Sequence, residues 1–132
     1  MELPDLPKIH KKQEADSSLK LREWIEKNPR TTCSIEMKDT RGKNYLNYSE
    51  VGDEQITYAK LISSSKGVLI RVQGLKGEPD YVWMRNQPAY IAIRYPKSIE
   101  LITIENFLYE KDKYKKKSIT YDRAQSISSI SF

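Results

Sequence analysis

Histidine and cysteine are almost absent from this chain, with one of each in 132 residues. The single cysteine, Cys33, excludes an internal disulfide and any zinc site built from several cysteines. The single histidine, His10, leaves no material for a triad or for a cluster of imidazole metal ligands. No apolar run approaches the ~20 residues that a membrane-crossing helix requires. The opening residues Met1–Asp5 carry neither the basic nor the apolar stretch of a secretory signal, so a cytoplasmic protein with no membrane partner is expected. Gly74 and Gly77 flank Leu75-Lys76 without forming a phosphate-cradling fingerprint. The chemistry of this chain must therefore be assembled from Asp, Glu, Lys, Arg, Gln, Ser and Tyr.

What is present suits one packed core. The length fits a single domain over residues 1–132, and 38% hydrophobic with 31% charged residues is an ordinary balance for a globular chain. The net charge is +5, and its distribution is uneven. Six basic residues between Lys111 and Arg123 face two acids there, so that segment alone supplies +4. Lys8, Lys11 and Lys12 form a second basic run near the start. Two readings compete for these runs: solvated tails, or surfaces on which Lys11, Lys12, Lys113, Lys115, Lys116 and Lys117 contact the phosphates of a polyanion. Residues 1–7 are expected to be mobile, and residues 111–132 to form a basic C-terminal tail.

Periodicity divides the rest. Leu21, Trp24 and Ile25 recur at helical spacing between Pro7 and Pro29, predicting a helix that ends by Asn28. Thr31–Lys38 alternates, with Cys33, Ile35 and Met37 on one face of a strand and Ser34, Glu36 and Lys38 on the other. Asp39–Asn47 reads as a loop. A second helix is expected from an N-cap at Ser49, with Val51, Tyr58 and Ile62 as its apolar stripe, ending at Ser63–Gly67. Strands follow at Val68–Gln73, Asp80–Arg85, Ala89–Tyr95 and Glu100–Ile104, then a helix over Glu105–Lys111 and a last turn or two capped by Thr120. Helix, strand, helix and further strands predict an α/β chain with a small mixed β-sheet flanked by helices. Tyr81, Trp83, Tyr90 and Tyr95 read as sheet packing residues, with base stacking as the alternative.

Glu36 and Lys38, two apart on a strand, leave the same face of the sheet. Such a pair is equally at home on a solvated strand. Two other residues give it more weight. Gln55 falls within the stripe of the second helix, where a polar group must find a partner. Glu14 falls on the inward stripe of the first helix if that helix reaches so far back, whereas an N-cap at Asp16 would leave it outside. Carboxylates, an amide and an amine gathered at one sheet face suit metal-assisted hydrolysis of a phosphodiester. Hard oxygens hold Mg²⁺, the ion lowers the pKa of a bound water, and a nearby lysine positions that water and favours its hydroxide form.

Glu36-Met37-Lys38 resembles the E-x-K strand motif of the PD-(D/E)XK nuclease superfamily. The wider pattern is similar to small phage and bacterial Holliday junction resolvase-like endonucleases over roughly residues 8–110. That pattern comprises Lys11-Lys12-Gln13-Glu14-Ala15-Asp16, Ser34–Thr40, Gly77-Glu78-Pro79-Asp80-Tyr81 and Ala89–Pro96. The resemblance implies a restriction-endonuclease-like core, with Glu36 as a metal ligand, Lys38 as the water-positioning lysine, Gln55 as an auxiliary group and Glu14 as the helix carboxylate. It implies Mg²⁺ as cofactor, with Mn²⁺ able to substitute, and branched DNA as substrate. It further implies a homodimer that cuts two strands symmetrically in the cytoplasm of a bacterial or phage-infected cell. The chain departs from the superfamily at one point. The metal-binding Asp is normally on the strand before E-x-K, and Pro29–Ser34 contains none. Asp80 is the alternative ligand, or else merely the start of a strand after a turn. Two further readings stand beside the nuclease: a non-catalytic DNA-binding module on the same fold, and a small interaction protein whose basic tail meets an acidic partner.

Overall fold

Strand β1 (Ser34–Asp39) pairs in parallel with β5 (Ala89–Arg94), setting Glu36 opposite Ile91 and Lys38 opposite Ile93. The computed structural model describes residue 23, residues 33–73 and residues 79–132. Strand β6 (Ile99–Thr103) lies antiparallel on the far side of β5, and β8 (Ile130–Ser131) pairs with β6, giving a mixed sheet of order β1-β5-β6-β8. A parallel pair cannot be joined by a tight turn. The chain between β1 and β5 instead crosses through helix α1 (Asp53–Ser63) and the antiparallel hairpin of β3 (Val68–Gln73) and β4 (Pro79–Met84). After β6 come helix α2 (Ile104–Tyr114), β7 (Ser118–Thr120) and helix α3 (Tyr121–Ile127). The expected mixed α/β arrangement, a small mixed sheet flanked by helices, is the one observed. No helix among the described residues is long and apolar enough to cross a membrane.

The sheet buries both faces. Ile91, Ile93, Ile102, Ile62 of α1 and Phe107 of α2 belong to the larger core, whereas Ala92, Ile99 and Leu101 form a smaller one. Ile35 and Met37 of β1 pack against the smaller core, which places Glu36 and Lys38 on the α1 side by strand alternation. A slip of one residue would exchange two apolar side chains for two charges against that core, so the register is strongly held.

Several sequence expectations need revision. The segment 39–47 contains a short strand, β2 (Tyr45–Asn47), which pairs with β7 through Leu46 opposite Ile119. Helix α1 starts at Asp53 after an N-cap at Gly52, because Ser49 lies inside a 3₁₀ turn over Tyr48–Glu50. Its buried residues are Ala59 and Ile62, and Tyr58 is exposed rather than part of the stripe. Helix α2 runs one turn past Lys111, to a left-handed cap at Lys115. Thr120 does cap α3, its hydroxyl accepting the Arg123 N–H.

The basic C-terminal segment carries contacts with the rest of the fold. Buried Glu110 of α2 accepts two hydrogen bonds, at 2.5 and 3.0 Å, from Arg123 of α3. Tyr95 donates its hydroxyl proton to the Ile119 carbonyl and stacks edge-on against Tyr121. A buried charge is retained when it is paired and hydrogen-bonded, and this pair clasps the basic segment between its two helices. The helix expected before Asn28 lies outside the described residues except at Glu23, which is helical.

Candidate functional site

Glu36 and Lys38 do leave one face of β1 together, and the lysine Nζ stands 3.6 Å from Glu36 Oε1. The Lys38 side chain is 20% exposed and that of Glu36 39% exposed. An ion pair so open to water contributes about 0–1 kcal/mol to stability. Its consequence is therefore positional: it fixes an amine and a carboxylate side by side.

Gln55 completes the cluster from the first turn of α1. The Gly52 N–H donates to Gln55 Oε1 at 3.0 Å, and Gln55 Nε2 donates to Glu36 Oε1 at 2.7 Å. The amide is thus clamped at both ends. Its oxygen satisfies one of the N–H groups that every helix start leaves without a partner, and this forces its nitrogen toward β1. The polar residue within the helical stripe was legible in the sequence, but the capping geometry was not. Glu36 Oε1 receives both the amide and the amine, while Oε2 accepts no hydrogen bond among the described residues.

That carboxylate lies at a cleft of about 460 Å³. Ser34 and Glu36 of β1, Gln55 and Tyr58 of α1, and Tyr90 of β5 line one part of it. The hairpin supplies the opposite part through Leu69, Arg71 and Tyr81. Arg71 and Tyr81 are register partners across β3 and β4, as are Leu69 and Trp83, so all four occupy one face of the hairpin. Arg71 and Tyr58 were missed in the sequence. The available signal was Arg71 as the one cation in an otherwise apolar or amide-bearing strand, Val68–Gln73.

The remaining expected residues divide clearly. Asp80 is the second residue of β4, opposite Val72 and adjacent to the cleft residue Tyr81; its side chain lies outside the described residues. Its strand is not a neighbour of β1 in the main sheet, since β4 pairs with β3 in a separate two-stranded sheet. Glu14, Lys11 and Lys12 also lie outside the described residues. Asp39 lines a different and smaller cleft with Thr40 and Arg94, its Oδ1 accepting the Arg41 N–H. Cys33 is half-buried, and burial pushes its thiol pKa up, against a nucleophilic role.

Lys113, Lys115, Lys116 and Lys117 are exposed at the end of α2 and in its connection to β7, and none of them lines the cleft. Lys113 Nζ lies 5.5 Å from the Tyr109 ring centre and 5.3 Å from that of Tyr114. The Arg123 guanidinium stacks 4.8 Å from the Tyr114 centre. Cations held over exposed rings make a basic, aromatic surface.

Among the described residues lining the cleft, Glu36 is the side chain that could ligate a hard divalent cation. Glu36 has one oxygen committed to Gln55 and Lys38, and a second that accepts no hydrogen bond among the described residues, at a partly open position. Among the described residues no group of three or more His, Cys, Asp or Glu could hold a metal ion, and Glu36 is the one carboxylate lining the cleft. Comparison of the chain with protein-family models, with curated proteins and with solved structures finds no match in any of the three.

Proposed function

We propose that this chain is a Mg²⁺-dependent DNA endonuclease with a restriction-endonuclease-like core, acting on branched DNA as a homodimer. The observation that carries the reading is the clamp of Gln55 on Glu36, with the Lys38 ammonium beside the same carboxylate oxygen, at the edge of an open cleft.

Each residue has a distinct part. Glu36 would hold the cation through its uncommitted oxygen, with Asp80 and Glu14 as the additional carboxylates. The bound ion supplies Lewis acidity and a water of lowered pKa. Gln55 fixes the carboxylate rotamer, because its own orientation is set by the helix N-terminus. Lys38 presents a donor next to that carboxylate and orients the attacking water, while its charge favours the hydroxide form. Positioning of this kind accounts for much of phosphoryl-transfer catalysis, in which little covalent work falls to the protein. The lysines from Lys113 to Lys117 would neutralise backbone phosphates without reading sequence, together with Lys11 and Lys12. Two copies related by a two-fold axis would set two such sites on two strands of a junction.

The test is cleavage of a labelled four-way junction beside a matched linear duplex, in Mg²⁺ and in EDTA, by wild type and Glu36→Ala. Paired nicks confined to the junction, requiring Mg²⁺ and abolished in the variant, are expected. Equal cutting of both substrates would remove the branched-DNA part. Binding without cutting in Mg²⁺ and Mn²⁺ would replace the nuclease by a non-catalytic DNA-binding module.

A further inference from the structure

We propose that the cleft beside Glu36 receives one unpaired nucleobase, so that the DNA bound here carries an unstacked nucleotide next to the phosphate at Glu36. The inference rests on the reading of Glu36 and Lys38 as a phosphodiester site and adds to it the form of the substrate.

At about 460 Å³ the cleft far exceeds the space for a hydrated ion and lies within the range of small-molecule pockets. Its aromatic walls come from two separate elements, Tyr58 of α1 and Tyr81 of β4, whereas the Tyr90 ring packs against the smaller core on the other face of the sheet. Tyr81 is 58% exposed and Tyr58 is 42% exposed, so both side chains are open to a ligand. Stacking on an aromatic ring suits any base, since each base has a π-face. A base inside a duplex cannot reach a recess of this kind without leaving its stack, which costs least where it is already unpaired. Arg71, opposite Tyr81 in the hairpin register, supplies a planar cation at the same cleft for the strand's phosphate. The net charge of +5 favours a polyanion as the occupant. The base would lie between tyrosines, with its sugar-phosphate link running past Arg71 toward Glu36.

Affinity measured in EDTA tests the inference without cleavage. The probes are a short duplex with one bulged thymidine, the same duplex with an abasic residue in the bulge, and a fully paired duplex. The thymidine bulge should bind about 5- to 150-fold more tightly than the abasic bulge, the range for one stacked base. Tyr81→Ala should erase that preference and Tyr81→Phe should keep it. Tyr81 is mostly exposed, so both variants should melt with wild-type cooperativity. Equal binding of the two bulged probes, equal binding of the paired duplex, or a preference that survives in Tyr81→Ala would overturn the inference. Cleavage in Mg²⁺ is scored separately. Cutting without base preference sinks the base pocket alone, and base preference without cutting sinks the nuclease alone.

Discussion

Gly67 is where a single methyl group should most disturb the cleft. Its φ is +75°, and a Cβ there would stand 2.6 Å from the Met84 carbonyl oxygen, 2.7 Å from Arg85 Cβ and 2.9 Å from Trp83 Nε1. Gly42 is a natural control, with φ +84° and no described atom within 4 Å of an added Cβ. Both Gly→Ala changes carry the left-handed backbone penalty, about 1–2 kcal/mol. Only Gly67→Ala must also displace backbone at the end of β4. Overpacking of that kind costs a further ~1–3 kcal/mol. Urea unfolding should therefore show Gly42→Ala destabilised by about 1–2 kcal/mol and Gly67→Ala by about 2–5 kcal/mol, with unchanged slopes. Since Gly67 leads directly into the hairpin carrying Arg71 and Tyr81, Gly67→Ala should also weaken DNA binding more than Gly42→Ala does. Equal destabilisation by the two substitutions would refute the close packing of Gly67 against β4.

Other perturbations address the basic surface and the core. Replacing Lys115, Lys116 and Lys117 together by Gln should reduce the slope of log affinity against log salt by ~0.9 for each phosphate no longer neutralised, with folding intact; an unchanged slope would remove that segment from the interface. Burial first, and the Glu110 carboxylate second, push the Tyr48 pKa up to about 12, while Arg123 opposes the shift. Burial likewise raises that of Tyr95. The native state therefore keeps protons that the unfolded chain releases near pH ~10. The stability these two groups contribute is complete below that pH and is lost as pH rises toward 12 and beyond. Thermal melts from pH 8 to 12 should show a falling midpoint above pH ~10, less steep in Tyr48→Phe; a flat profile would contradict their burial as neutral phenols.

Local pattern carried the elements whose burial is periodic along the chain. Ser34 to Lys38 alternates because β1 has a core on one face and the α1 side on the other, and the order of β3, β4, β5 and β6 followed from their β-rich runs and intervening turns. Strands β2 and β7 left no such trace. Each has three residues, and they exist because Leu46 and Ile119 meet across more than seventy positions of sequence. Pairing at that distance is a tertiary effect, invisible to a window of neighbouring residues. The same applies to the basic segment, whose lysines are exposed as a charge run suggests but whose Arg123 meets Glu110 only in the folded chain. At the candidate site, Glu36, Lys38 and Gln55 were legible as residue types at the right spacing. The hairpin's part was not, since strand order alone did not bring Arg71 and Tyr81 to the cleft that Glu36 lines.

The most direct test of catalysis by this cluster is single-turnover nicking of a four-way junction by wild type and Lys38→Ala. Protein is held at a concentration that saturates binding, and bound fraction and product are read from the same samples. Equal binding in Mg²⁺ is expected, with a drop in nicking of about a hundredfold or more, the scale of removing a positioned proton-handling group. Wild-type nicking retained in full by Lys38→Ala at equal occupancy would contradict catalysis by this cluster.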